Sequence, residues 1–331
     1  MKKKRVLATG SLWSLLIYLL ITDFGDIKRT KYFLSRKNIH PSVRKNLNCI
    51  VCENFNWDNN PRLMQLYYVI APLLYRLRYP YLLFSEFFCI DQGFEIQSIV
   101  GRNHYTLIED GLGDYVVREK IKEKGILNYM RRMLYGPMYH NTFGNNRLCK
   151  KIIHTMKPTT KVMIEKGELV DLKKLWRESS VDKQNYILSV FNISSYDLEI
   201  IQSRKVLLLT QPLSEDKIVS AERKASIYRQ IIERFGEHNV IIKTHPRENT
   251  NYREIFPNAF VFDKIVPMQL FNILDVKFDT VATLSSSAAV SFMDGKTSIY
   301  FEGTEKYPEV AARYGHITLD MILNISLPQK S

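Results

Sequence analysis

Arg5-Val6-Leu7-Ala8-Thr9-Gly10-Ser11-Leu12-Trp13-Ser14-Leu15-Leu16-Ile17-Tyr18-Leu19-Leu20 opens the chain with an apolar run, a polar turn and a second apolar run. The first run has the length of a buried strand, Thr9-Gly10-Ser11 supplies the turn, and the second has the length of a helix. Strand, polar turn, helix is how a nucleotide-binding α/β lobe begins. The basic block Lys2-Lys3-Lys4-Arg5 in front of it also suits a signal peptide or anchor. Against that, Thr9, Gly10, Ser11 and Ser14 interrupt the run, which falls short of the ~20 apolar residues of a spanning helix, and no small-residue cleavage site is evident. The stretch is therefore expected to fold as the first unit of an α/β domain in the cytoplasm, with contact at the inner face of the membrane left open by the basic block.

Working outward, short apolar runs alternate with helical patterns. Cys49-Ile-Val-Cys52 reads as a strand, Arg62 to Leu77 as a helix, and Tyr81 to Ser85 and Thr106-Leu-Ile108 as further strands. From Gly125 to about Arg204 the pattern loosens, with Pro137, Gly144-Asn145-Asn146 and Pro158 as loop signals. A second regular series then begins: Lys205 to Thr210 as a strand, Ser220 to Phe235 as a helix, then strands at Asn239 to Lys243, Ala259 to Phe262 and Thr280 to Leu284, with a short helix over Pro267 to Asp275. Alternation of this kind predicts an α/β fold with parallel sheets. The expected organisation is a Rossmann-like lobe over 1–150, an inter-lobe crossing over 151–204 and a second lobe over 205–331.

Length and composition agree with that reading. At 331 residues, 45% apolar and 24% charged, the chain suits two folded domains and is too apolar for a disordered one. Lys and Arg exceed Asp and Glu by 47 to 34, a formal charge of +13, which draws a protein towards anionic partners. The cations are spread out and lack the aromatic-interleaved motifs of RNA binders, so a nucleic-acid partner is not expected. Four cysteines are too few for a disulfide scaffold, and Cys49-x-x-Cys52 has no second pair at zinc spacing, so it reads as two ordinary thiols.

Open parallel sheets bind ligands beyond the carboxyl ends of their strands, which directs attention to the polar residues after each apolar run. Leu107-Ile108 runs into Glu109-Asp110-Gly111, where a carboxylate can serve as a general base, although Asp-Gly is also an ordinary turn. Val240-Ile-Ile runs into Lys243-Thr244-His245-Pro246-Arg247, a histidine beside a rigid proline and between two cations, suited to a phosphate. Thr280 to Leu284 runs into Ser285-Ser286-Ser287 and a small-residue helix start, which is either an anion site or a plain N-cap. Strand-end carboxylates recur in Gln211-Pro212-Leu213-Ser214-Glu215-Asp216. No Walker loop or G-x-G-x-x-G is present, and no Asp-x-Asp pair sits in a metal-suited setting.

The ordered set Glu109-Asp110-Gly111, His245-Pro246 and Ser285-Ser286-Ser287 resembles the acidic, His-Pro and Ser-Ser motifs of bacterial sialyltransferases of glycosyltransferase family 52, which act on lipooligosaccharide and capsule glycans. The resemblance implies a GT-B-like fold, two Rossmann-type lobes facing across a cleft with the donor in the C-terminal one. It further implies inverting transfer from CMP-sialic acid without a metal or other cofactor. Under it His245 contacts or protonates the departing phosphate, while Gln211, Lys243, Pro246, Arg247, Ser285, Ser286 and Ser287 line the donor. Glu109 and Gly111 lie on the acceptor side, and Asp216 or Asp110 takes the proton of the acceptor hydroxyl, Asp216 being preferred because it shares the donor lobe with His245.

Lys217 stands where a glycine would complete a second acidic motif, and the N-terminal lobe offers little further match. Two alternatives remain open at this stage: an enzyme of the same fold using a UDP-sugar, and a non-catalytic polysaccharide-assembly protein. The implied partners are a nucleotide-sugar donor and a glycan acceptor, lipid-linked, with peripheral membrane contact and a homodimer left open.

Overall fold

The computed structural model describes residues 3–52, 61–115, 126–139, 142–292 and 296–321. It comprises two compact units, Met1–Asn192 and Ile193–Ser331. The first holds a sheet of seven strands, β1 (Arg5–Thr9), β2 (Lys31–Ser35), β3 (Cys49–Cys52), β4 (Glu86–Cys89), β5 (Tyr105–Ile108), β6 (Cys149–His154) and β7 (Gly167–Leu169), in the order β3-β2-β1-β4-β5-β6-β7. Every pairing in it is parallel. Val6, Leu7 and Ala8 of β1 are wholly buried, as a central parallel strand covered on both faces requires. The helix Leu12–Ile21 comes directly after; the Ser11 hydroxyl caps it by accepting the Ser14 amide, and residues Ser14 to Leu20 are all buried. The opening stretch thus folds as its sequence predicts, with the strand order reversing between β1 and β4.

Two expectations need correction. The run Tyr81 to Ser85 is not a strand; Pro80–Leu83 forms a single 3-10 turn and β4 begins at Glu86. Leu83 and Phe84 are 51% and 76% exposed, whereas Phe87 and Cys89 are buried, so the apolar residues that belong to the sheet are the later ones. The crossing expected over 151–204 is also displaced, because 151–192 belong to the first unit. There β6 and β7 extend the first sheet, the helix Leu172–Glu178 packs on Leu12–Ile21, and the Lys183 ammonium donates to the Leu20 carbonyl at 2.7 Å. The sequence conceals these strands because β6 interleaves Lys150 and Lys151 with its apolar residues and all three residues of β7 are exposed, as suits a short edge strand.

The second unit holds β8 (Val206–Leu209), β9 (Val240–Lys243), β10 (Phe260–Phe262), β11 (Thr280–Thr283) and β12 (Ser298–Phe301), ordered β10-β9-β8-β11-β12 and again all parallel. Helix Ala221–Phe235 is bounded as its sequence predicts. The Ser220 hydroxyl accepts the Arg223 amide at 3.1 Å, and Gly236 ends the helix at φ 76°, a conformation that glycine adopts without a Cβ penalty. One face of the sheet packs Val206, Leu208, Val240 and Ile242 against Ile227, Tyr228 and Ile231 of this helix.

All four cysteines are free thiols; burial pushes Cys49 up to about 11 against the pull of Arg44, which makes it unreactive. No helix among the described residues is long and apolar enough to cross a membrane.

Candidate active site

Three neighbouring strands of the second sheet end level with one another. Leu209 pairs in register with Lys243 on one side and Thr283 on the other, so the residues after β8, β9 and β11 leave the sheet side by side, ~4.8 Å apart per strand. Those residues are Thr210-Gln211, Thr244-His245 and Leu284-Ser285. The strand order reverses between β8 and β11, the place where open parallel sheets take ligands. Gln211 and Ser285 meet across that reversal, the Ser285 amide and hydroxyl both donating to Gln211 Oε1 at 3.1 and 2.9 Å.

His245 leads a turn closed by the Glu248 amide on the His245 carbonyl at 3.0 Å, with Pro246 at the second position, where its fixed φ fits. The Arg247 amide donates to His245 Nδ1 at 3.2 Å. A ring whose Nδ1 accepts carries its hydrogen on Nε2, so the neutral imidazole offers an Nε2–H donor. Burial, then the Arg247 cation, push the His245 pKa below the ordinary histidine value; Lys243 adds to this, while Glu248 and Asp216 oppose it. Arg247 also forks onto Asp216, with 2.6 Å to Oδ1 and 3.0 Å to Oδ2, a geometry that fixes the carboxylate's orientation. Asp216 and His245 are thereby joined through one residue.

The serine cluster is more self-contained than its sequence suggests. It leads into a 3-10 segment, Ser287–Phe292, and the amides of Ser285, Ser286 and Ala288 are taken by Gln211, Thr283 and Ser286 side chains. Ser286 accepts from Ala288 and so keeps its own O–H free to donate. The Ser287 side chain lies outside the described residues. Lys243 needs a correction too: it is 6% exposed, its ammonium donates to the Thr244 carbonyl at 2.9 Å, and burial lowers its pKa to about 8. It is a buried cation behind the rim, on the opposite face of β9 from Ile242, and makes no surface contact for a donor.

Sequence reasoning missed the group beneath this rim. The Glu248 side chain is wholly buried and accepts from the His245 amide (2.6 Å), Thr210 Oγ1 (2.5 Å), Tyr252 Oη (2.8 Å) and Lys224 Nζ (2.7 Å). Lys224, wholly buried, also reaches Glu215 at 2.8 Å and Thr250 at 2.9 Å. Burial opposes ionisation of Glu215, but Lys224, the Asn249 amide and Thr250 outweigh it and hold the carboxyl near 2. One signal was available: Lys224 stands three, four and seven residues before the buried Ile227, Tyr228 and Ile231, on the apolar face of its helix.

In the first unit the acidic motif divides into different roles. Glu109 is 1% exposed and its carboxyl accepts from Trp13 Nε1 (2.8 Å), Thr155 Oγ1 (2.5 Å), the Thr155 amide (2.9 Å) and Tyr115 Oη. Four donors occupy it, so its expected place as an acceptor contact is corrected to that of a buried tie between β5, β6 and the first helix. Asp110 is half-buried, and its carboxylate accepts no hydrogen bond from a described residue. Its amide donates to Asp114 Oδ2 at 2.5 Å, and Gln92 donates to Asp114 Oδ1 at 2.9 Å. Burial raises Asp114 to about 7. Gly111 adopts φ 148° with open space where a Cβ would stand, so backbone conformation is what calls for glycine there. Among the described residues no group of three or more His, Cys, Asp or Glu side chains is placed to hold a metal ion.

Comparison with known proteins gives this geometry its context. Residues 96–304 match the family model of glycosyltransferase family 52. An uncharacterized protein of Haemophilus influenzae is 34% identical over 214 residues, 64% of this chain and 66% of that protein, just under two thirds of its length. Among solved structures, the α/β-galactoside α-2,3-sialyltransferase of Photobacterium phosphoreum superposes with a TM-score of 0.54 at 11% identity, covering 91% of each chain. The 2,6-sialyltransferase of Photobacterium sp. JT-ISH-224 gives 0.55 at 11% identity, over 90% of this chain and 71% of that one. These likenesses show a GT-B-like α/β fold. With the family match spanning more than half of its residues, the chain belongs to glycosyltransferase family 52.

Proposed function

We propose that the protein transfers sialic acid from CMP-sialic acid to a terminal sugar hydroxyl of a surface glycan, with inversion and without a metal ion. The observation that carries this reading is the carboxyl-end rim of the second sheet, where the Nε2–H of His245 and the Arg247 guanidinium follow β9 and the Ser286 hydroxyl follows β11, on strands flanking β8 in a family 52 chain. Further support is that the Photobacterium 2,6-sialyltransferase was solved with CMP and lactose. In the reaction the acceptor oxygen bonds to the anomeric carbon as the bond from that carbon to the phosphate oxygen breaks. The bonding electrons leave with CMP. Asp216 takes the hydroxyl proton, and His245 donates to the phosphate oxygen that gains charge, where an anion already present favours the protonated ring. Arg247 and Ser286 offset the charge of the leaving group. The test is which activated sugar the protein consumes, CMP-sialic acid or a UDP-sugar.

The reading extends to an acceptor met at an anionic membrane face. Support comes from a cavity of about 610 Å³ at the amino ends of β1 to β4, lined by Lys3, Lys4, Arg5, Arg29 and Lys31 against only Asp26 and Glu86, with exposed Leu83 and Phe84 just before β4. Such a surface is expected to sediment with anionic but not zwitterionic vesicles at low salt and to be released as salt rises; equal recovery in the supernatant with both vesicles contradicts it.

A further inference from the structure

We infer that Lys224 is a positioning residue for the transfer, its one buried ammonium tying the loop that carries Asp216 to the loop that carries His245. The inference rests on the sialyl-transfer reading of the rim. The two loops leave adjacent strands, β8 and β9, and each brings one carboxyl inward to the same ammonium. Glu215, the neighbour of Asp216, meets Lys224 at 2.8 Å, and its other oxygen accepts the Asn249 amide and the Thr250 hydroxyl, both at 2.9 Å. Glu248 meets Lys224 at 2.7 Å, and its other oxygen receives the His245 amide at 2.6 Å. From Asp216 to His245 there is thus an unbroken path through Glu215, Lys224 and Glu248, independent of the exposed Arg247 fork.

The chemistry of the triad argues for more than packing. Ile227, Tyr228 and Ile231 on the same helix face are apolar, and an apolar side chain at position 224 would pack there without the cost of dehydrating an ammonium and two carboxyls. Buried charge of this kind is strongly directional, because each partner left alone is an uncompensated charge, so the two loops hold one spacing. Two reacting groups kept at one spacing is what a base and an acid on opposite sides of one anomeric carbon require. Arg247 alone does not provide it, since its side chain is 62% exposed and carries a guanidinium that an anionic donor can draw away from Asp216.

The test begins with the wild-type protein, CMP-sialic acid and a galactose-terminated acceptor. Absence of transfer there overturns the reading of the site and, with it, the positioning role; transfer by the wild type with unchanged kinetics in the variants overturns the positioning role alone, so the two failures are separable. Given transfer, K224M, K224R and E215Q are compared for kcat, donor and acceptor KM, CMP affinity, melting temperature and the ratio of glycan transfer to donor hydrolysis. K224M is expected to lose kcat by roughly 10²-fold, the scale of a displacement of about 1 Å in a reacting group, while CMP affinity stays near wild type and hydrolysis gains on transfer. Guanidinium also spans two carboxyls, so K224R is expected to recover part of the loss. Should K224M fail to fold, E215Q decides, because it removes the charge that Lys224 meets on the Asp216 side and keeps the Lys224–Glu248 pair. Folded K224M or E215Q with wild-type kcat and an unchanged transfer ratio, whatever the melting temperature, overturns the inference.

Discussion

Alanine at position 245 is expected to lower kcat for sialyl transfer by about 10²–10⁴-fold, the range of a general acid–base group, with the melting temperature close to wild type. The fold is expected to tolerate the change: His245 is half-buried at a strand end, the Glu248 bond to its amide and the Pro246 turn survive the substitution, and the side-chain bond lost is the 3.2 Å one from the Arg247 amide to Nδ1. The pH profile carries a sign that ties the loss to the ring. Burial and Arg247 lower the pKa of His245, so the protonated fraction of the free enzyme is already lost as pH rises through a value below the ordinary 6.5. The alkaline limb of kcat/KM is therefore expected on the acid side of that value, and the limb of kcat at higher pH, because a bound anionic donor favours the imidazolium. His245→Ala is expected to abolish both limbs. Steady-state rates of the two proteins across the pH range check this, and a wild-type limb that survives the substitution contradicts it.

Glu109→Ala is expected to act on the fold, at a cost of about 1–3 kcal/mol or more, the scale of leaving buried neutral donors without their acceptor. Trp13 Nε1, the Thr155 hydroxyl and amide, and Tyr115 Oη all lose their acceptor, at a position that is 1% exposed in the wild type. Denaturant unfolding measures the effect as a lower midpoint at unchanged slope. The acceptor-side role that the motif alone implied makes the opposite forecast, a raised acceptor KM with an unchanged midpoint, so one pair of measurements separates them.

The opening stretch shows why so much of the fold is legible. Val6 to Ala8 and Ser14 to Leu20 bury their side chains almost without exception, so strand, turn and helix are written in unbroken apolar runs. Strands β8, β9 and β11 are legible for the same reason. Strands β6, β7 and β12 are not, because they lie at or towards sheet edges and carry polar or exposed residues. The site obeys a parallel logic. His245, Gln211 and Ser285 come after buried strands, which is where the apolar runs of the sequence place them. Whether a strand-end residue faces a ligand or its own neighbours depends on contacts between distant segments, which periodicity does not encode. Glu109 and Lys243 turn inward for that reason, and Glu248 and Lys224 become central through partners 24 residues apart in the chain.

The measurement that tests the central claim most directly is product analysis after incubating the purified protein with a galactose-terminated acceptor and CMP-sialic acid or a UDP-sugar in separate reactions, each with and without EDTA. Sialylated acceptor of inverted anomeric configuration, formed together with an equal amount of CMP and unaffected by EDTA, is the predicted result. Transfer from the UDP-sugar with CMP-sialic acid left intact contradicts the account.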